Sequence, residues 1–198
     1  KGTPYFENLR SAKAQATYTL SGNGVETLEP HFTTFGFRYV KVEGVTGKIN
    51  PDNFTAIALY SDLKKTGTFE TSNSYINQLQ SNIQWSQKGN FLDVPTDCPQ
   101  RDERLGWTGD AEVFSRTASY NFNVNQFFSK WLIDLSVDQN EDGSVSHVIP
   151  DVMKRKPSDL QSGAAGWSDA SIIIPYNMYV TYGDKKIVER QYPSMQAY

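Results

Sequence analysis

Between positions 93 and 112 the chain reads DVPTDCPQRDERLGWTGDAE, which gathers the acids Asp93, Asp97, Asp102, Glu103, Asp110 and Glu112, the bases Arg101 and Arg104, and Trp107 with Gly106 and Gly109 close on either side. Pro95 and Pro99 forbid a helix across the first half, so the acids are expected on an irregular loop of fixed shape, the kind of segment on which sites are built. A merely solvated turn has no use for a tryptophan bracketed by glycines, or for arginines interleaved among carboxylates. A guanidinium beside an acid favours the ionised form, whereas an apolar ring and neighbouring carboxylates favour the protonated one. Such a loop can hold one carboxyl protonated and its neighbours ionised at the same pH, as acid-assisted cleavage of a glycosidic bond requires.

The run from Asp97 to Glu112, DCPQRDERLGWTGDAE, resembles without a gap the signature of bacterial α-L-rhamnosidases, glycoside hydrolase family 78. Upstream, FTTFGFRYVKVEG at 32–44 is similar to the β-sandwich strand that precedes the family's catalytic domain. Downstream, GWSDASIIIPY at 166–176 resembles a later barrel helix, with Ser168 where the family usually has glycine. The resemblance implies an α+β chain by segment: N-terminal β-sandwich strands over 1–66, then the first part of an (α/α)6 barrel over 67–198, continuing in the family well past residue 198.

Composition excludes several other classes. The 198 residues carry 19 basic and 22 acidic side chains, a net charge of -3, with no long basic run that would suit nucleic acid or an anionic membrane. KRK at 154–156 reads as a solvated turn. No apolar run approaches the roughly 18 residues of a membrane span, and residues 1–20 lack the core of a signal peptide, which leaves localisation unread. Cys98 is the single cysteine, so no intrachain disulfide forms; it reads as packing in the loop rather than as a nucleophile. No cofactor motif or metal-ligand set stands out. QNEDGS at 139–144 lacks the spaced ligands of a calcium loop and reads as a turn. His147 has no second histidine at ligand spacing and reads as a structural or substrate-contacting residue.

The elements that position the loop follow from periodicity. Short Thr-, Tyr-, Phe- and Val-rich runs at 15–20, 35–43 and 54–60, separated by turn-forming clusters, predict strands. From residue 68 the period becomes helical. Ile76, Leu79 and Ile83 behind Ser72 and Asn73 predict a helix over 73–87, and Thr108 or Asp110 is expected to cap another reaching Tyr120, with Val113, Phe114 and Ala118 facing inward. Val124, Phe127, Phe128, Trp131, Leu132 and Leu135 form the cleanest amphipathic stripe and predict core. A helix is expected from Trp167 to Tyr182, kinked or restarted at Pro175 and ended by Gly183, with Asp184 capping the next. Helices joined by irregular loops that carry acids and tryptophans suggest a helical barrel whose mouth those loops build.

By resemblance, Glu103 aligns with the family's general acid. Asp97, Arg101 and Asp110 align with residues that hold sugar hydroxyls, and Trp107 with an aromatic wall for the sugar's apolar face. Trp167 and Asp169 fall where further pocket residues occur. The implied reaction is inverting removal of terminal α-L-rhamnose from glycosides or polysaccharides, with the general base on a later loop outside these residues. A sugar-binding module without turnover, a structural piece with an incomplete site, and an (α/α)6 glycosidase for another sugar remain as alternatives.

Overall fold

A computed structural model describes residue 2 and residues 4–153 and 162–198; the KRK turn lies outside them. The described part is mostly helical. The helices are α1 (Ser74–Asn90), α2 (Thr108–Asn121), α3 (Asn125–Asp138), α4 (Ala170–Tyr182) and α5 (Lys185–Ala197). Between α1 and α2 lies a small antiparallel hairpin of β1 (Phe91–Leu92) and β2 (Val94–Pro95).

The three strands expected before residue 66 are not formed among the described residues. Their chain runs without ladder partners, most of its side chains exposed. A strand exists only through bonds to a neighbour, so β-forming composition does not suffice where no neighbour is supplied. The stretch is anchored where it meets the helical part. The Ser61 amide donates to the Phe91 carbonyl at 2.8 Å and the Asn123 amide to the Lys64 carbonyl at 2.7 Å. The Thr66 hydroxyl donates to the Tyr120 carbonyl at 2.7 Å, and Leu63 is buried.

Asn73 caps α1 as expected, its side-chain oxygen accepting from the Tyr75 amide at 2.9 Å, but the helix runs three residues past the expected end. Ile76 and Leu79 remain exposed, and the buried residue of α1 is Gln87. Its amide donates to the Ala118 carbonyl at 3.2 Å and its oxygen accepts from Asn121 at 3.0 Å, so the helix docks on α2 through polar groups satisfied at both ends.

The α3 stripe is the core. Val124, Phe128, Trp131, Leu132 and Leu135 are fully buried beside Ile149, Ile174, Met178 and Ile187. Phe91 of β1 enters this core, stacked on Phe127 at 4.5 Å and set edge-on to Phe128 at 5.7 Å. Aromatic pairs of this kind add roughly 0.5–1.5 kcal/mol each beyond area burial, enough to fix where the acidic loop leaves the core.

Helix α4 packs on α2, α3 and α5. It runs unbroken through Pro175 and starts three residues later than expected, after a turn at 165–169. Gly183 ends it in the left-handed conformation (φ 68°), and the Asp184 carboxylate accepts from the Lys186 and Ile187 amides, capping α5 as expected. QNEDGS is a turn closed by the Gly143 amide on the Asn140 carbonyl at 2.9 Å.

Candidate active site

The acidic loop leaves β2 and is closed at its base by Asp97. The Asp97 amide donates to the Leu105 carbonyl at 3.2 Å, and its Oδ1 accepts the Leu105 amide at 3.3 Å. Beyond Leu105 the chain is clipped to residues 147–149. The Ile149 amide donates to the Gly106 carbonyl at 2.9 Å, Trp107 bridges Val148, and the Thr108 amide donates to the His147 carbonyl at 2.8 Å. A β-carbon on Gly106 would fall 2.1 Å from the Ile149 carbonyl oxygen, which itself accepts the buried Trp131 indole N–H at 3.0 Å. Only glycine allows that approach.

Trp107, and not Thr108 or Asp110, is the residue before α2. Thr108 is buried inside the first turn, where its hydroxyl donates to the His147 carbonyl at 3.0 Å. The inward face of α2 is Ala111, Ser115 and Ala118; Val113 is exposed and Phe114 only partly buried. Small side chains on that face let α4 approach closely.

Four of the expected site residues come together. Arg101 Nε donates to Glu103 Oε2 at 2.7 Å and its Nη2 reaches Asp97 Oδ2 at 3.5 Å, so one guanidinium ties both acids. Asp110 is exposed as a residue, but partial desolvation of its carboxyl against the loop pushes it up, and the charges of Asp97 and Glu103 add to the effect while Arg101 opposes it. Glu103, Asp97, Arg101 and Asp110 thus share one electrostatic neighbourhood at the start of α2. Cys98 is buried in the loop and burial pushes its thiol up, in keeping with packing. Asp97, Cys98 and Glu103 bring ligand atoms within 4.8 Å of one another, but the Arg101 guanidinium already supplies the cation those carboxylates need.

The tryptophans lie at the start of α2. Trp107 keeps its indole N–H buried without a protein partner among the described residues. Trp167 stacks on His147 at 5.4 Å, and a β-carbon on Gly109 would lie 3.0 Å from its indole nitrogen, so the ring abuts the first turn of α2. Ser168 is buried and its hydroxyl donates to the Val145 carbonyl at 2.6 Å, which gives this departure from glycine a bonding role.

Asp169 sits apart from the four. It accepts from the Tyr198 hydroxyl at 2.6 Å and the Gly166 amide at 2.9 Å, and these bonds hold its carboxyl below the usual range. Its charge acts on Glu112, which burial and Asp169 together push up to about 6. Glu112 Oε2 and His147 Nε2 are buried with no protein partner among the described residues.

The sequence singled out Asp169, His147 and Glu112 separately, but nothing in it signalled that Glu112 and Asp169 act on each other. Glu112 is easier to protonate in the folded chain than its ordinary value of 4.5, so its contribution favours folding below pH 4.5 and fades as pH rises through about 6. Glu112→Gln should therefore gain thermal stability relative to the parent between pH 4.5 and pH 8. A difference in melting temperature that stayed constant across that range would rule this out.

Comparison with known proteins places the chain. Residues 64–198 match the bacterial alpha-L-rhamnosidase 6 hairpin glycosidase domain, and residues 1–60 the bacterial alpha-L-rhamnosidase concanavalin-like domain. An α-L-rhamnosidase of Streptomyces avermitilis is 47% identical over 100% of this chain and 19% of its own length. One of Formosa agariphila is 40% identical over 98% of this chain and 21% of its own length. The crystal structure of the Streptomyces avermitilis enzyme complexed with L-rhamnose superposes with a TM-score of 0.93 over 99% of this chain and 19% of that one. The native Aspergillus terreus enzyme, 43% identical, gives 0.90 over 98% of this chain and 22% of that one. The chain thus spans about a fifth of the length of the curated relatives it matches. It belongs to the bacterial α-L-rhamnosidase family, and its helical part is of the six-hairpin glycosidase fold.

Proposed function

We propose that the protein carrying this chain is a glycoside hydrolase that removes terminal non-reducing α-L-rhamnose from glycosides or polysaccharides, with inversion and with Glu103 as general acid. The observation that carries the reading is the loop in which Arg101 ties Glu103 to Asp97 beside Asp110, in a chain of this family. Glu103 gives its proton to the glycosidic oxygen as the bond to the anomeric carbon breaks. A water attacks the opposite face and loses a proton to a base about 6.5–9.5 Å from the acid. Asp97, Arg101 and Asp110 hold sugar hydroxyls through charge-assisted bonds, Trp107 walls the sugar's apolar face, and Trp167 and Asp169 are further substrate-binding residues of the pocket. The rhamnose complex of the Streptomyces avermitilis relative supports rhamnose as the sugar held.

The reading divides the chain into β-sandwich strands over 1–66 and the first part of an (α/α)6 barrel over 67–198. The family matches to 1–60 and 64–198 support it, as does the superposition that carries the unpaired N-terminal stretch along with the helices. The full-length protein carrying these residues should hydrolyse an aryl α-L-rhamnoside and release β-L-rhamnose first, followed by proton NMR before mutarotation. α-L-Rhamnose appearing first would overturn inversion. Retention on a rhamnose resin without hydrolysis would replace the enzyme by a sugar-binding module.

A further inference from the structure

The N-terminal stretch touches the acidic loop at four places. Arg10 Nη1 donates to Glu103 Oε2 at 3.0 Å, the Ser11 hydroxyl donates to Asp102, Arg104 Nη1 donates to the Thr34 carbonyl at 2.7 Å, and the Gly36 amide donates to the Pro99 carbonyl at 3.0 Å. The last approach is close enough that a β-carbon on Gly36 would fall 2.7 Å from the Pro99 carbonyl carbon. Arg10 itself stands in the left-handed region at φ 56°, uncommon for a residue with a side chain, directly after the turn at Glu7–Leu9.

Arg10 and Arg101 donate to the same oxygen, Oε2 of Glu103. Two cationic N–H donors leave no room for a proton on that atom. The proton of a neutral Glu103 therefore sits on Oε1, the oxygen to which neither guanidinium donates. We infer that Arg10, from the N-terminal stretch, is a positioning residue that with Arg101 fixes which oxygen of Glu103 carries the transferable proton. The inference rests on the reading of Glu103 as general acid. Arg10 is 58% exposed in its side chain, and an exposed ion pair of this kind does little for stability. Its effect belongs to the geometry of proton transfer.

The test is kinetic, in the full-length protein, with Arg10→Ala and Arg10→Lys made in the parent and Arg10→Ala also in a Glu103→Gln background. Arg10→Ala should lower kcat on a rhamnosyl disaccharide about 10-fold with KM little moved, the scale expected when a reacting group is misplaced without being removed. Hydrolysis of a nitrophenyl rhamnoside, whose leaving group needs little protonation, should change by less than about 3-fold. Arg10→Lys should restore part of the loss, and the melting temperature should hold. In the Glu103→Gln background Arg10→Ala should add nothing, since an amide has no proton to place. Equal losses on both substrates, no loss on the disaccharide, or an undiminished Arg10→Ala effect in the Glu103→Gln background would overturn the inference. A Glu103→Gln parent that still cleaves the disaccharide at full rate would instead remove the general-acid reading on which it stands.

Discussion

Glu103→Gln in the full-length protein should slow cleavage of a rhamnosyl disaccharide by about 100-fold or more, the lower end of what general acid catalysis supplies. The amide keeps the shape of the side chain, and its carbonyl oxygen can still accept the Arg101 N–H that lies 2.7 Å from Oε2. Only the transferable proton is lost. Aryl rhamnosides with good leaving groups should suffer far less, because their oxygen departs as an anion without needing that proton. Steady-state rates on the two substrates decide the matter: an unchanged disaccharide rate would end the assignment of Glu103.

Residues 1–198 expressed alone should show no measurable hydrolysis of α-L-rhamnosides even where circular dichroism shows the helices formed, whereas the full-length protein should be active. Several acids of these residues are otherwise employed. An inverting base must stand across the sugar from the acid, yet Asp97, Asp102 and Asp110 share one short loop or helix start with Glu103. Asp102 accepts from Ser11, Asp142 from the Ser144 amide and hydroxyl, and Asp151 from Ser146 and the Met153 amide. Asp169 is held by Tyr198 and Gly166, bonds that stabilise its charge and weaken it as a base. Turnover by the isolated piece that vanished on Asp169→Asn would place the base within it and overturn the mechanism.

What could be read ahead of the structure divides along physical lines. The α3 stripe, the Asn73 and Asp184 caps and the Gly183 stop were legible because each is written in residues a few positions apart. Residues 15–20, 35–43 and 54–60 form no strand among the described residues because strand composition says what a segment would do beside a partner, and no described neighbour pairs with them. Thr108 has the chemistry of a cap, yet its hydroxyl is claimed by the His147 carbonyl 39 positions away. Val113 fits an inward spacing, but the close approach of α4 selects Ala111, Ser115 and Ala118 and turns Val113 outward. That Asp97, Arg101, Glu103 and Asp110 lie together was legible from a contiguous run. Arg10 was not, being 93 positions from the side chain it touches. The raised Glu112 carboxyl was equally hidden, because it depends on burial and on Asp169 arriving from the turn before α4.

The two glycines around Trp107 bear on how such a site can diversify. Gly106 admits no side chain against the Ile149 carbonyl oxygen, and Gly109 admits none without pushing on the Gly166 carbonyl 2.9 Å away and the Trp167 ring. Positions 106 and 109 are thus closed to gradual change, since the smallest step, to alanine, already meets backbone. A mutational library over this loop would waste its diversity at positions 106 and 109.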